Sequence, residues 1–169
     1  MPHLILVGLP GVGKTTIGRA AARQLSRQFL DFDEEIERRA GMSVREIFRV
    51  KGEEHFRALE FELTKELSAS GGMVLSPGGG WITQHGSVEL LRSAGRIIYL
   101  RASPEAVARR LRRMETRPLL AGRDPVVALR ELYAKRQALY ETADVVLDTE
   151  GLARQQLISK MVELASTVG

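Results

Sequence analysis

A glycine-rich segment close to the start of the chain constrains the fold more than any other feature. Residues 8–15 read GLPGVGKT and match the pattern G-x-x-x-x-G-K-[ST]. An apolar run precedes the segment at residues 4–7, and a helical pattern of apolar residues follows it. A strand, a loop and a helix in this order point backbone N–H groups and the positive end of the helix at a phosphate. The segment therefore predicts a nucleotide-binding P-loop.

Two side chains of this loop have distinct predicted roles. The Lys14 ammonium is expected at the β- and γ-phosphates as a catalytic group, and the Thr15 hydroxyl is expected to ligate Mg²⁺. The other nucleotide contacts predicted in this segment are Gly11, Val12, Gly13 and Thr16. A plain glycine-rich turn is the alternative, but such a turn needs neither the lysine nor the hydroxyl. We therefore expect a protein that binds a nucleoside triphosphate and transfers its terminal phosphoryl group.

Apolar strand-like runs alternate with helical patterns along the chain. The predicted strands cover residues 4–7, 29–32, 73–76, 96–100 and 145–147. The predicted helices cover residues 15–27, 34–40, 53–68, 87–93, 125–140 and 152–168, and two more are expected to begin at Ser43 and Ser103. Residues 112–124 contain Pro118 and Gly122 and lack clean periodicity, so we predict a mobile loop there. The alternation favours an α/β fold around a mostly parallel sheet.

Composition excludes several classes of function. The chain has 169 residues and no cysteine, which excludes disulfides and thiolate zinc sites and fits a reducing cytoplasm. It has no asparagine, so the guanine-reading motif N-K-x-D of a GTPase cannot exist. The net charge of +4 is compatible with binding to nucleic acid, but the arginines are dispersed along the sequence and aromatic residues make up only 5%. We predict one domain over residues 1–169, acting as a monomer in the cytoplasm, without nucleic-acid or membrane partners.

A second group of residues is suited to an acceptor molecule. Asp31 and Asp33 follow a predicted strand, so we expect both carboxylates to point the same way, one toward Mg²⁺ and one toward a hydroxyl. Capping of the next helix is the alternative for this pair. Arg57 and Glu60 lie one helical turn apart, so the glutamate can hold the guanidinium in position to bind a carboxylate. A surface ion pair of little energetic value is the alternative there.

A run of three glycines follows the third predicted strand. Gly78, Gly79 and Gly80 would allow the backbone to approach a ligand closely, whereas a plain loop is the alternative. The P-loop, the aspartate pair and this run all follow predicted strands. Ligands of parallel α/β sheets bind at the carboxyl ends of the strands. The three features are therefore expected to form one site.

Taken together, these residues resemble the shikimate kinases, small P-loop kinases of the nucleoside monophosphate kinase structural class. The matching segments run in family order over nearly the whole chain: residues 8–15, Asp31, Asp33, Gly41, Ile47, Phe48, Gly52, Glu53, Phe56, Arg57, Glu60, residues 78–80, residues 117–120, Arg136, Leu139 and Tyr140. The resemblance implies a three-layer P-loop kinase fold with a five-stranded parallel sheet flanked by helices. It also implies a lid at about residues 112–124 and a substrate-binding segment at about residues 33–61.

The activity implied by this resemblance is ATP-dependent phosphorylation of the 3-hydroxyl of shikimate, with Mg²⁺, on the route to chorismate and aromatic amino acids. A gluconate-type small-molecule kinase is the alternative, and it would share the P-loop without needing this arginine array. A nucleotide-binding module without activity would be expected to lack Lys14, Asp33 or Arg117, and all three are present.

The resemblance also implies residue roles. Asp33 would bind the ring hydroxyls and act as the base, while Asp31 would lie near Mg²⁺ through water. Arg117 would be the third catalytic residue, reaching the transferring phosphate from the lid. The implied substrate contacts are Asp33, Arg57, Arg136, Gly78, Gly79, Gly80, Phe48, Phe56 and Glu60, and the implied further nucleotide contacts are Arg110, Arg117 and Arg154. Trp81 stands where the family usually has a small residue, and we expect it to alter packing rather than the reaction.

Overall fold

A computed structural model describes residues 1–113 and 124–167 of the chain. Within them, five strands form one sheet in the spatial order β2-β3-β1-β4-β5, and every pairing is parallel. The strands are β1 (His3–Val7), β2 (Phe29–Asp31), β3 (Val74–Ser76), β4 (Gly95–Arg101) and β5 (Val145–Asp148). All five predicted strands are confirmed, with small differences at their ends.

Eight α-helices flank the sheet in the part of the chain that the structure describes. They are α1 (Lys14–Leu25), α2 (Phe32–Ala40), α3 (Val44–Lys51), α4 (Glu53–Ser68), α5 (His85–Arg92), α6 (Pro104–Arg113), α7 (Pro125–Tyr140) and α8 (Arg154–Ser166). A short 3-10 helix, Trp81–Thr83, precedes α5 and was not predicted. None of the described helices is both long enough and apolar enough to cross a membrane.

The central strand β1 shows why the fold has three layers. All five of its residues are buried, and the first of them, His3, is polar. Successive side chains of a strand point to opposite faces of the sheet, so complete burial requires cover on both faces. Helices provide that cover, because each strand is followed by at least one helix. The three-layer α/β prediction is therefore confirmed.

Several helix ends differ from the prediction for local reasons. Helix α1 ends at Leu25 because Ser26 adopts a left-handed conformation with φ of 54°. Helix α2 begins at Phe32, because the Asp31 carboxylate accepts a hydrogen bond from the Glu34 N–H at 3.1 Å and caps the helix. Asp33 consequently lies in a helix rather than beside a strand. The predicted cap at Ser43 is confirmed by a 3.1 Å hydrogen bond from the Glu46 N–H.

The predicted lid overlaps two helices at its ends. Arg112 and Arg113 close α6, and Asp124 caps α7 by accepting a 3.0 Å hydrogen bond from the Val126 N–H. These residues are therefore helical or capping, which corrects the predicted boundaries of 112–124. Residues 114–123 lie outside the described residues, and Arg117 with them.

The buried glycine of α1 provides a test of packing between helix and sheet. A Cβ atom on Gly18 would lie 2.6 Å from Phe29 Cε2 and 3.0 Å from Leu6 Cδ1. We therefore expect Gly18→Ala to lower the free energy of unfolding by about 1–3 kcal/mol, although alanine favours helices. Gly86→Ala is the matched control, because its Cβ would meet no atom closer than Phe61 Cε2 at 3.9 Å. Urea titration should show no loss for the control, and equal effects would contradict this account.

Candidate active site

The backbone of the phosphate loop depends on glycine at three positions. Gly8, Gly11 and Gly13 have φ angles of 153°, 83° and 106°, which side-chain-bearing residues rarely adopt. At Gly8 a Cβ atom would also lie 2.7 Å from the Leu100 carbonyl oxygen of the neighbouring strand. Helix α1 begins directly after Gly13, so its positive N-terminal end faces the loop. The predicted strand, loop and helix are confirmed.

The Lys14 side chain folds back over this loop. Its Nζ donates hydrogen bonds to the Gly8 carbonyl at 2.7 Å and to the Leu9 carbonyl at 2.9 Å. The Tyr140 hydroxyl donates to the same Gly8 carbonyl at 3.2 Å. The ammonium is therefore held at the mouth of the loop, where it can neutralise phosphate charge.

Thr15, in the first turn of α1, and Asp31, at the end of β2, come together. The Thr15 hydroxyl donates to Asp31 Oδ2 at 3.1 Å, while Asp31 Oδ1 caps helix α2. The capping alternative for Asp31 is thus correct, and it leaves the second oxygen beside the P-loop hydroxyl. Mg²⁺ prefers oxygen ligands and commonly binds through one or two protein groups, substrate phosphates and water. This pair fits such an ion, and no group of three acidic or histidine side chains among the described residues could hold a metal alone.

Asp33 projects into the site from the first turn of α2. Burial raises the pKa of its carboxyl to about 6, and the nearby charges of Asp31 and Glu37 add to the effect. Lys14 and Arg57 oppose the rise. The buried oxygen Oδ1 has no hydrogen-bond partner among the described residues. A half-buried carboxylate of raised pKa with one unpartnered oxygen can bind a hydroxyl group and accept its proton.

Arg57 and Glu60, both on helix α4, form an ion pair that is largely buried. Arg57 Nη1 donates to Glu60 Oε1 at 3.0 Å, and the Glu60 side chain is 1% exposed. The surface-pair alternative is therefore wrong. Burial raises the pKa of Glu60 to about 7, although the charge and the hydrogen bond of Arg57 lower it. Arg57 Nε and Glu60 Oε2 are buried without hydrogen-bond partners in the described part of the chain.

The glycine run after β3 is in contact with all three candidate acceptor side chains. A Cβ atom on Gly78 would lie 2.8 Å from Asp33 Oδ1, and one on Gly79 would lie 3.1 Å from Arg136 Nη1. On Gly80 it would overlap the guanidinium of Arg57. A side chain at any of these positions would displace one of the charged groups, so the turn is part of the cluster and the plain-loop alternative is wrong. Helix α2 contributes Asp33 to this turn, α7 contributes Arg136, and α4 contributes both Arg57 and Glu60, whose Oε2 would lie 3.3 Å from a Cβ atom on Gly78.

Two phenylalanines lie beside this cluster. The rings of Phe48 and Phe56 are 5.0 Å apart, and the Arg57 guanidinium lies 5.4 Å from the centre of the Phe56 ring. Phe56 is buried, whereas Phe48 is partly exposed. The pair gives the cluster an apolar wall on helices α3 and α4.

A cavity of about 450 Å³ adjoins the P-loop on its other side. That volume is within the ordinary range for a small-molecule site. The predicted nucleotide residues Val12, Thr16, Arg110 and Arg154 line it together. Sequence reasoning missed four further polar lining residues: Arg109, Arg113, Thr149 and Glu150. The signal for the arginines was their spacing, since residues 109 and 113 are one turn apart on the helix that carries Arg110.

Trp81 is completely buried behind the glycine run. Its Nε1 donates to the Thr64 hydroxyl at 3.2 Å, and that hydroxyl donates to the Glu60 carbonyl at 2.8 Å. The indole edge also meets the Phe32 ring at a centroid distance of 6.5 Å. Trp81 therefore packs against the helices that carry Asp33 and Glu60, and its polar atom is satisfied.

Comparisons with known proteins identify one family. A family model described as Shikimate kinase matches residues 10–166. A shikimate kinase of Pseudomonas aeruginosa is 43% identical over 164 residues, covering 96% of this chain and 95% of the relative. The solved structure of a shikimate kinase from Acinetobacter baumannii in complex with shikimate has a TM-score of 0.87 at 38% identity, covering 100% of this chain and 96% of that one.

A gluconokinase from Sinorhizobium meliloti is also similar in structure. Its TM-score is 0.64 at 16% identity, covering 98% of this chain and 92% of that chain. At this identity the likeness shows the shared fold alone, so it does not favour the gluconate-type alternative.

The buried carboxyl of Glu60 gives a pH test of the cluster. Its folded pKa of about 7 exceeds the ordinary 4.5, so the folded state holds a proton that the unfolded state releases. Wild-type stability should therefore fall, relative to Glu60→Gln, as the pH rises from 4.5 to about 7. We expect urea titrations at about pH 5 and about pH 8 to show a relative change of about 1–3 kcal/mol.

Glu62→Gln on the exposed face of the same helix is the control for this test. Its side chain is 67% exposed, so the same comparison should change little. A pH-independent difference between wild type and Glu60→Gln would contradict the buried-carboxyl account.

Proposed function

Because the chain belongs to the shikimate kinase family, we propose that it transfers the terminal phosphoryl group of ATP to the 3-hydroxyl of shikimate. The observation that carries the proposal is the contact of Asp33, Arg57 and Arg136 with one glycine turn beside the P-loop. Two cations and one carboxylate in that arrangement suit a small hydroxylated carboxylic acid. The reaction would serve the route to chorismate and aromatic amino acids.

On the nucleotide side, the P-loop N–H groups and Lys14 would bind the phosphates. Thr15 would ligate Mg²⁺ directly, and Asp31 would hold it through water. When bound, Mg²⁺ would supply positive charge to the oxygens that become more negative during transfer. Thr16, Arg110 and Arg154 would contact the nucleoside, because they line the cavity adjoining the loop.

On the acceptor side, Arg57 and Arg136 would bind the shikimate carboxylate. Glu60 keeps the Arg57 guanidinium in one orientation, which favours two parallel hydrogen bonds to a carboxylate. Phe48 and Phe56 would cover the ring, and the Gly79 N–H would donate to the substrate. These contacts would orient the ring, because its carboxylate end would be held by two guanidinium groups.

Asp33 would then accept the proton of the reacting hydroxyl. Its pKa of about 6 lies below neutral pH, so most molecules carry the carboxylate form, and it is still basic enough to take a proton. As the hydroxyl oxygen bonds to the γ-phosphorus, the bond from that phosphorus to the bridging oxygen breaks and ADP leaves. Lys14 and Arg117 would stabilise the charge on the transferring group. Arg117 lies outside the described residues, and its role rests on the resemblance alone.

The same proposal covers the domain organisation, the oligomeric state and the cellular location. Residues 1–169 would form one kinase domain with an acceptor segment at about residues 33–61. A lid between helices α6 and α7 would exclude water, which otherwise competes as acceptor. The protein would act as a monomer in the cytoplasm, on a small molecule rather than on nucleic acid or a membrane.

An assay of ADP release tests this function directly. The purified chain with ATP and Mg²⁺ should release ADP when shikimate is added, and it should respond weakly to gluconate and to nucleoside monophosphates. Detection of shikimate 3-phosphate by mass spectrometry identifies the product. Strong stimulation by gluconate alone would support the gluconate-type alternative, and no stimulation by shikimate would overturn the proposal.

Arg57→Lys tests the carboxylate contact. Lysine keeps the charge but loses the planar pair of donors, so the KM for shikimate should rise by about 10-fold or more. The KM for ATP should stay within about twofold, because Arg57 contacts the acceptor only. Arg39→Lys is the control, since Arg39 also pairs with a glutamate of helix α4, at the exposed position Glu66. Equal damage to both KM values would show that Arg57 does not bind the carboxylate.

A further inference from the structure

The mechanism above leaves one buried polar side chain without a function. Tyr140 is the last residue of helix α7, it is 1% exposed, and it follows Arg136 by one helical turn. Its hydroxyl lies between the two halves of the site, and none of the proposed steps uses it.

The hydroxyl of Tyr140 binds the phosphate loop and lies beside Arg136. It donates to the Gly8 carbonyl at 3.2 Å. Burial raises the pKa of the phenol, and the nearby Arg136 guanidinium opposes that rise. The phenol therefore stays neutral and keeps its donor for Gly8, with its oxygen next to Arg136.

The Gly8 carbonyl is shared with the catalytic lysine. Lys14 Nζ donates to it at 2.7 Å, so this oxygen accepts one hydrogen bond from each half of the site. The Gly8 oxygen thus joins the Lys14 ammonium to the Tyr140 hydroxyl, and Arg136 lies beside that hydroxyl, one turn earlier on helix α7. Arg136 itself lies against Gly79 of the acceptor turn, at 3.1 Å from the position a Cβ atom would take.

Tyr99 holds the Tyr140 ring in place. The two rings are stacked with centroids 4.9 Å apart and an angle of 19° between their planes. Tyr99 lies on β4 in register with Val7 of β1, the residue that precedes Gly8. The Tyr99 hydroxyl is buried and has no hydrogen-bond partner among the described residues. The sheet thus fixes the position of the Tyr140 ring, and its hydroxyl contacts the P-loop beside Arg136.

We propose that Tyr140 is a positioning residue that fixes the Gly8 carbonyl and the Lys14 ammonium relative to Arg136, and so sets the distance between the two substrates. The inference rests on the proposed function, in which Lys14 contacts the phosphates and Arg136 the acceptor. Phosphoryl transfer depends mainly on alignment and charge, so a small displacement of one substrate affects the rate more than the binding of either.

Tyr140→Phe removes the hydroxyl and keeps the stacked ring. We expect kcat to fall by about 5- to 50-fold, less than the ~100-fold that a displacement of 1 Å can cost. Both KM values should change by less than about threefold, because each binding group is still present. A merely structural role would lower the melting temperature and leave kcat unchanged in the folded protein.

Tyr99→Phe is the matched control, because it removes a buried hydroxyl that forms no hydrogen bond with a described residue. Its kcat should match that of wild type. If wild type phosphorylates shikimate and both variants have the same kcat, the positioning role is overturned while the proposed function stands. If wild type does not phosphorylate shikimate, both are overturned.

A second measurement needs no change at Tyr140 and decides the question if Tyr140→Phe does not fold. The chain has three tyrosines, so 3-fluorotyrosine labelling gives three fluorine resonances, which Tyr99→Phe and Tyr133→Phe assign by elimination. We expect the Tyr140 resonance to shift with ADP alone and with shikimate alone, since its hydroxyl touches one residue of each site. A resonance that neither ligand moves would contradict the inference.

Discussion

Asp33, Arg57 and Arg136 can approach one another because the turn between them consists of glycine. Each glycine of residues 78–80 lies close to one of these side chains, and a Cβ atom there would push that side chain away. The turn follows β3, which is paired with β1 and β2 in the sheet. This brings it next to the P-loop, which follows β1. The acceptor half of the site is thus defined by backbone that three helices can approach closely.

The approach of these helices to one turn also buries several charged side chains close together, which is unfavourable. Asp33 and Glu60 both have raised pKa values, mainly through burial, and Arg57 compensates only in part. Three of the four buried side-chain atoms without hydrogen-bond partners in the described residues belong to Asp33, Arg57 and Glu60. Buried polar groups usually have partners, since an unpartnered one costs about 1–3 kcal/mol. Their concentration in one place is typical of a site that gains its missing partners from a polar ligand.

The sequence predicted the elements of the fold well, because apolar alternation, caps and glycine signals are local. The strand order and the burial of Glu60 depend on contacts between residues far apart in the sequence. The surface-pair alternative for Arg57 could therefore be rejected only from the packing of helix α4 against the glycine turn. The position of Asp33 shows a limit of another kind. A strand pattern through residue 32 placed Asp33 beside a strand, whereas the Asp31 cap starts the helix at Phe32, two residues earlier than predicted. The polar residues 149 and 150 reach the cavity beside the P-loop through tertiary packing, which no spacing in the sequence reveals.

Trp81 shows how a large side chain can occupy a position where a small one is expected. The glycine run has no side chains, so the volume on its buried side must be filled from the neighbouring 3-10 helix. The indole fills it, contacts Phe32 of α2 and donates to Thr64 of α4, whose hydroxyl in turn binds the Glu60 carbonyl. A smaller residue would leave a cavity behind the turn, and the cost of such a cavity increases with its volume. Both helices that Trp81 contacts carry acceptor-site residues, so its packing stabilises the geometry of the site without any contact with the reacting groups.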